Sequence, residues 1–459
     1  PRNNRRAVTA PTPAILAAEL QPLYDAFFSS DEKPVAPIDL GTIQLRKKVG
    51  RLLVRVTESA GGTPVTGASV KVADTGLSGS TNAKGEWYSE VPGGEIIVEV
   101  SGDVSRGLAA GRRQILTSDV DTTITEIALQ TGVVVKGRVS TSTTSVTDAR
   151  IEVVGLEYMA TTSDENGSYS FVVPKGDYTL QATRRGYVGA LHQQIFSGNT
   201  ATVNFNLQTA PFNINSIYGF DIEITKMQGA GNSRIISGFV VNLPSNPTFM
   251  AKAETRLPFD NITVDITNDS MIPRNGQLNL SATTLDLLAY GYLPVTLRNN
   301  NQPLTIRQAG GNINAGELIG VAEIRWDKFI PTPLGLTIPA DAKYVLSSGT
   351  SPTVTAIHTS SSESPAGEFR VRVTKPSASL YGFDLTIDAT KSFVSSDGVH
   401  FSGSLNLNGI PLLGNTSLAV DEVHIGTNGS VQKASIALDG EQQISMAQWR
   451  AAMKSVRLN

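Results

Sequence analysis

Four histidines, His192, His358, His400 and His424, are the residues of this chain with the most direct claim to metal or acid–base chemistry. A neutral imidazole can ligate a zinc-class ion or carry a proton near neutral pH, but either role needs partners at a defined spacing. No HExxH, GxSxG, phosphate-binding loop or paired-histidine spacing occurs. His400 and His424 belong to neighbouring strand regions of the last β unit and can approach each other; taken singly, each of the four reads as a satisfied surface or edge-strand histidine. Aspartates gather in Asp119-Val120-Asp121 and Asp164-Glu165-Asn166-Gly167, oxygen-rich runs of the type that can hold calcium. Neither run continues as a full calcium loop, and turn chemistry accounts for both. Cysteine is absent, which removes disulfides, thiolate nucleophiles and cysteine zinc sites together. The expectation is therefore a non-enzyme, with no catalytic, cofactor-binding or metal-ligating residue and no cofactor.

The elements that carry these residues are organised by an internal repeat of about 82 positions. The first copy contains GRLLVRV, TGASVKV and STNAKGEWYSEVPGGEIIVEV; the second contains VVVKGRV, TDARIEV and TSDENGSYSFVVPKGDYTLQA. Gly85 answers Gly167, Trp87 answers Tyr169, and Pro92 answers Pro174. Leu52, Val54 and Val56 alternate with Leu53 and Arg55, giving one apolar and one mostly solvated face, as a sandwich strand requires. In Asn82-Ala83-Lys84-Gly85 and Asp164-Glu165-Asn166-Gly167 the first residue can bond its own backbone two residues on, and glycine closes the turn where a positive φ is expected. Trp87 and Tyr169, at matching places just after that turn, should serve the core. Each copy reads as a small all-β module, and the two as beads on a string.

This order of motifs resembles the carboxypeptidase regulatory-like domain, a transthyretin-like β-sandwich, over about residues 50–190. The resemblance implies a fold and no reaction, because in the peptidases that gave the family its name the module is the non-catalytic partner of a zinc domain.

A second repeat lies further on. Ser216-Ile217-Tyr218-Gly219-Phe220-Asp221 is echoed by Ser379-Leu380-Tyr381-Gly382-Phe383-Asp384, Ser237-Gly238 by Ser402-Gly403, and Phe259-Asp260 by Val420-Asp421. In this alignment His400 falls near Ile235 and His424 on Thr263, so the repeat does not preserve the histidines. Between the copies, Leu318 to Ile324 and Glu368 to Val373 read as strands, while Pro331-Thr332-Pro333 and the Ser/Thr-rich stretch from Ser347 to Ser364 read as loops or a flexible edge.

A chain of 459 residues should split into three to five units. The expected division is an arm, helix and linker over 1–49, sandwiches over 50–130 and 131–209, a β domain over 210–378, and a second over 379–459 ending in a helix. The fold class is mainly β, with tandem β-sandwich modules, a duplicated β unit and short terminal helices. A formal net charge of −3, spread along the chain, argues against a nucleic-acid groove or a general membrane-surface binder. No run of 18 apolar residues occurs, so no membrane-spanning helix is expected.

Both ends look suited to protein partners. Arg2, Arg5 and Arg6 form a basic arm ahead of a helix capped by Thr12, with Leu16, Leu20, Leu23 and Phe27 on one face and Pro22 kinking it. Met446, Trp449, Ala452, Met453 and Val456 are spaced for one face of a C-terminal helix over Ser445 to Val456, with Trp449 and Met453 as interface candidates. Pro1 is followed by no apolar h-region, so no signal peptide is expected, and removal of an initiator methionine explains the start. The alternative is a start inside a longer chain. These features suggest a structural subunit made in the cytoplasm and built, through other protein subunits, into a phage virion or contractile injection particle. The alternative is a cell-surface adhesin in which Trp87, Tyr88, Tyr158 and Tyr187 stack on a glycan or grip a surface protein.

Overall fold

In this computed structural model the chain is described from residue 50 to residue 458, apart from short internal stretches of which 360–368 and 407–416 are the longest. Arg2, Arg5, Arg6 and the expected helix carrying Leu16, Leu20, Leu23 and Phe27 lie outside the described residues. What is described is mainly β, and its one α-helix is the short Trp326–Phe329.

Residues 50–129 form two sheets around one core. One orders Glu86–Val91, Gly50–Glu58 and Thr122–Leu129; the other orders Ser78–Ser80, Ser69–Val72, Gly94–Val100 and Gly111–Thr117. Alternation explains the core: Leu52, Val54 and Val56 point inward with Val70, Val72, Val98, Trp87 and Ile127. Each such side chain, once buried, contributes about 1.5–3 kcal/mol by leaving water.

The second module repeats this strand order. Ser168–Val173 lies beside Val133–Ser140, which is flanked by Thr200–Thr202 and Phe205–Asn206; the other sheet orders Leu156–Thr162, Arg150–Val153, Gly176–Thr183 and Ala190–Phe196. In both modules the first and last strands are parallel neighbours, so the chain enters at one end of the sandwich and leaves at the other. The expected turns form in both. Asn82 Oδ1 accepts from the Lys84 and Glu86 backbone N–H groups, and Asp164 Oδ1 accepts from those of Asn166 and Ser168. Gly85 and Gly167 close these turns at φ 71° and 76°. Trp87 and Tyr169 are buried in their cores, and the Tyr169 hydroxyl donates to Val203 O at 2.7 Å.

The chain divides into two compact units, one comprising Val49–Val321 with Thr355–Ala366, the other including Ala322–Val354 and Gly367–Asn459. In the first, a short hairpin joins Ser216–Ile217 to Phe220–Gln228, with Tyr218 in the left-handed region at φ 51°. Phe220–Gln228, Ser233–Val240 and Leu257–Ile266 then run as an antiparallel meander. Phe383–Ile387, Gly398–Asn406 and Ser417–Gly426 form the same meander in the second unit. Both copies place a β-bulge at the matched Ser-Gly pair. The register shifts between Ile236 and Gly238 in one and between Phe401 and Gly403 in the other. A Cβ on Gly238 would meet Glu223 O at 2.0 Å, and one on Gly403 would meet Thr386 O at 2.0 Å, so the Ser-Gly echo marks a backbone approach only glycine permits.

In the second unit Trp326 is buried between Tyr344 and Phe401, each with its ring centroid 5.4 Å away. Two expectations are corrected. The C-terminal segment is not a helix: Glu441–Met446 pairs antiparallel with Trp449–Lys454, Met446 opposite Trp449 and Met453 opposite Gln442, and Arg457–Leu458 pairs with Val431–Leu438. Apolar residues three and four apart fit a helical face, but so short a run does not distinguish helix from strand, and cross-strand pairing decides. The stretch read as a loop from Ser347 to Ser364 contains the strand Thr353–His358, where Val354, Ala356 and Ile357 are buried.

Candidate functional site

The strand Arg150–Val153 buries Ile151 and Val153 in the second sandwich, and alternation turns Glu152 to the outer face of the sheet. A carboxylate there is ordinarily solvated, yet Glu152 is only 2% exposed. The following β unit covers it. From that unit Arg256 sends Nη1 to Glu152 Oε1 at 2.5 Å and Nη2 to Glu223 Oε2 at 2.7 Å and Thr183 Oγ1 at 3.2 Å. Its guanidinium also lies 4.0 Å from the centroid of the Phe239 ring. The other oxygen of Glu152 accepts from Arg150 Nε at 2.7 Å. A buried carboxylate is tolerable only when it is paired and hydrogen-bonded, and both of its oxygens are here engaged by guanidinium groups.

Main-chain pairing crosses the same junction. Tyr187–Val188 pairs with Gln208–Thr209 and, parallel, with Phe220–Gln228, where Val188 is opposite Ile224. The Gly189 N–H donates to Ile224 O at 2.7 Å, and Arg185 reaches Asp221 at 2.7 Å. The link between the two sandwiches is held too: Ala109 N–H donates to Gln130 O and Gly132 N–H to Gly107 O, each at 2.9 Å. Lys71 of the first sandwich meets Glu254 of the β unit at 2.7 Å, and that hydrogen bond holds the Glu254 carboxyl below its usual range. Within this unit the modules are therefore joined by hydrogen bonds, ion pairs and strand pairing, which departs from the expectation of beads on a string.

The histidines fall in three different settings. His192 lies on Ala190–Phe196 beside Gln194, and His358 is buried at the end of Thr353–His358. His400 and His424 sit directly opposite each other on paired strands. Their rings stack with centroids 4.1 Å apart, and the Phe393 ring stacks on the other face of His400 at 4.3 Å. Among the described residues, Asp397, His400 and His424 form the group whose ligand atoms have metal-binding spacing. The Ser395 hydroxyl and then His400 hold the Asp397 carboxyl below its usual range, and Lys433 and then His400 do the same for Glu422. Sequence reasoning placed these histidines in neighbouring strands; their pairing depends on a register it does not give.

Of the other candidates, Trp87 is buried and does not offer a ring for stacking on a ligand, Tyr158 and Tyr187 are partly buried against the second core, and Tyr88 is exposed. Trp449 and Met453 lie on the strand Trp449–Lys454. Asp164 spends one carboxylate oxygen on its turn, as turn chemistry predicts. No helix among the described residues is long and apolar enough to cross a membrane. The Arg256 clamp was missed because Glu152 and its partner are 104 residues apart.

Residues 134–208 match the family profile of the carboxypeptidase regulatory-like domain, which is the second copy of the repeat. A search of curated proteins gives no match. Among solved structures, a streptococcal ancillary pilin matches at 14% identity and a TM-score of 0.18, over 37% of this chain and 64% of its own. The Bacillus anthracis TIE protein matches at 15% identity and a TM-score of 0.16, over 55% of this chain and 48% of its own. The minor pilin of Streptococcus agalactiae matches at 14% identity and a TM-score of 0.17, over 36% of this chain and 98% of its own. The chain thus spans less than two thirds of the length of the first two.

Proposed function

We propose that this chain is a non-enzymatic structural subunit whose tandem β modules act as a rigid spacer and docking surface within a larger protein assembly, such as a phage virion or tail or a contractile injection particle. The observation that carries this reading is the clamp of Arg256 on Glu152 and Glu223. A module that worked alone would not bury an ionised carboxylate under its neighbour. Joining modules at such a junction fixes their mutual orientation, which a spacer requires and a flexible tether does not. Other protein subunits are the partners in this reading, and no chemistry is performed on them.

A second reading, adhesion to a surface glycan or protein, is favoured by apolar side chains left in solvent on the two sandwiches. Tyr88 is 60% exposed, and Leu116 and Ile195, near the ends of the corresponding strands Gly111–Thr117 and Ala190–Phe196, are 77% and 70% exposed.

The two readings separate on native material. A spacer subunit should elute and sediment with a large particle, and deleting residues 1–29 should abolish incorporation while the sandwiches keep their urea midpoint. A free monomer that binds a glycan array, or normal incorporation of the truncated chain, would replace the spacer reading with adhesion.

A further inference from the structure

The pair His400–His424 is not a requirement of its scaffold. In the first copy of the meander the matched cross-strand pair is Ile235 and Thr263, directly opposite each other, beside the same Ser-Gly bulge. The fold therefore forms with or without imidazoles at these positions, and what the second copy adds is chemistry.

That chemistry is built in layers. His400 has a carboxylate at each ring nitrogen: Glu422 Oε1 at 3.0 Å from Nδ1, and Asp397 Oδ1 at 3.3 Å from Nε2. Glu422 is itself held by Lys433 Nζ at 2.6 Å and can only accept from the ring, so Nδ1 carries the hydrogen. Nε2 is the ring nitrogen left facing Asp397. His424 Nε2 lies beside the same aspartate, 3.9 Å from Asp397 Oδ2 and 3.3 Å from the Asp397 backbone carbonyl. One ligand atom from each of Asp397, His400 and His424 lies within 4.8 Å of the others.

The surroundings suit an ion rather than a packed core. A Cβ on Gly398 would sit 2.7 Å from His424 Nε2 and 2.2 Å from Ile425 O, so glycine keeps clear the space beside the ring. Ser395 donates its hydroxyl to Asp397 Oδ1 and orients that carboxylate. The Asp397 side chain is 63% exposed, which leaves an entry path and freedom to close on an ion, while Phe393 stacks on His400 and holds that ring.

We propose that Asp397, His400 and His424 bind one divalent transition-metal ion of the zinc class, with Glu422 and Lys433 as the supporting pair that orients His400. Two imidazoles and a carboxylate are the donor set such an ion prefers over magnesium or calcium, whose sites are built from oxygen. A histidine whose second nitrogen donates to a carboxylate is the usual support for such a ligand. Bond lengths of about 2.0–2.2 Å require the exposed Asp397 carboxylate to close on the ion and the His424 ring to turn out of its stack on His400, so that both lone pairs converge. With three protein ligands, the remaining position is open to water. The ion would tie the hairpin of Phe393–Ser395 and Gly398–Asn406 to Ser417–Gly426, in a chain that has no cysteine with which to cross-link itself. This inference is independent of the spacer reading.

The test uses the full chain, free of any histidine tag and stripped with a chelator. Cobalt(II) titration should give visible d–d absorption saturating at one ion per chain, zinc should displace it, and zinc should raise the melting temperature. Asp397→Asn and His424→Gln should each weaken binding at least tenfold, and Glu422→Gln by about 10–100-fold. Because Asp397 is at the surface, its variant should keep the circular dichroism of the parent, so loss of binding there cannot be ascribed to unfolding. No saturable one-to-one cobalt signal, a signal unchanged in both Asp397→Asn and His424→Gln, or magnesium binding as tightly as zinc would each overturn the proposal.

Discussion

Arg256 and Glu152, 104 residues apart in the chain, meet at 2.5 Å across the boundary between the second sandwich and the following β unit. Each is drawn from a surface that its own module would otherwise leave to water. The second sandwich supplies a carboxylate and the β unit a guanidinium, with Glu223 and Phe239 around it. The contact makes each module part of the other's interior.

Replacing Arg256 with methionine should therefore act as a core defect. It leaves Glu152 buried with Arg150 alone and should lower stability by about 3 kcal/mol. Adding Glu152→Gln should recover at least about 1 kcal/mol, because the uncompensated charge goes with it. Urea midpoints of the two variants measure this, and equal losses in single and double variants would deny the clamp its role.

The glycines that close the matched turns should be irreplaceable by β-branched residues. A Cβ would meet Val56 O at 2.5 Å at Gly85 and Val139 O at 2.4 Å at Gly167, in addition to the strain of φ near +70°. Gly85→Val and Gly167→Val should each cost about 1–3 kcal/mol. An unchanged urea midpoint in both would show that the turns relax freely.

Tyr169→Phe should cost about 1–2 kcal/mol, because it removes the hydroxyl that satisfies Val203 O inside the core while leaving the ring packing in place. A midpoint equal to the parent's would mean that Val203 O finds another donor.

Stability should fail on the alkaline side. Burial pushes the Tyr344 phenol up to about 12 from its ordinary 10.0, and raises that of Tyr169 as well. The folded chain thus keeps protons that the unfolded chain loses above pH 10, so this stabilisation is complete below about pH 10 and is lost as pH rises through about 12. Tyrosinate absorbance and circular dichroism followed together should show the buried tyrosines ionising as the sheets are lost. Complete ionisation before any loss of β signal would contradict the burial.

What the sequence makes legible here is local. Asn82 and Asp164 announce their turns because the hydrogen bonds that define them span two to four residues, and Trp87 and Tyr169 announce the core because strand alternation fixes which face they occupy. Glu152 gives no such sign, since a glutamate at an outward position looks solvated until its partner is known. His400 and His424 lie between these cases. Their strands are neighbours in sequence order, but the bulge at Ser402-Gly403 sets the register that puts them on one face, and a one-residue slip would separate them. Trp449 and Met453 fit a helical period by coincidence of spacing, and only the pairing of their strand with Glu441–Met446 resolves the ambiguity.

In the first sandwich the parallel pairing of the entering and leaving strands runs unbroken from Arg51 opposite Thr122 to Glu58 opposite Leu129. Tension applied through the chain would pull these two strands in opposite directions along their length. Their hydrogen bonds would then share the load in shear and resist together, where an antiparallel hairpin pulled from its open end would unzip one bond at a time. The repeated arrangement in the second sandwich places two such mechanical fuses in series, so the chain should yield to force in discrete, module-sized steps.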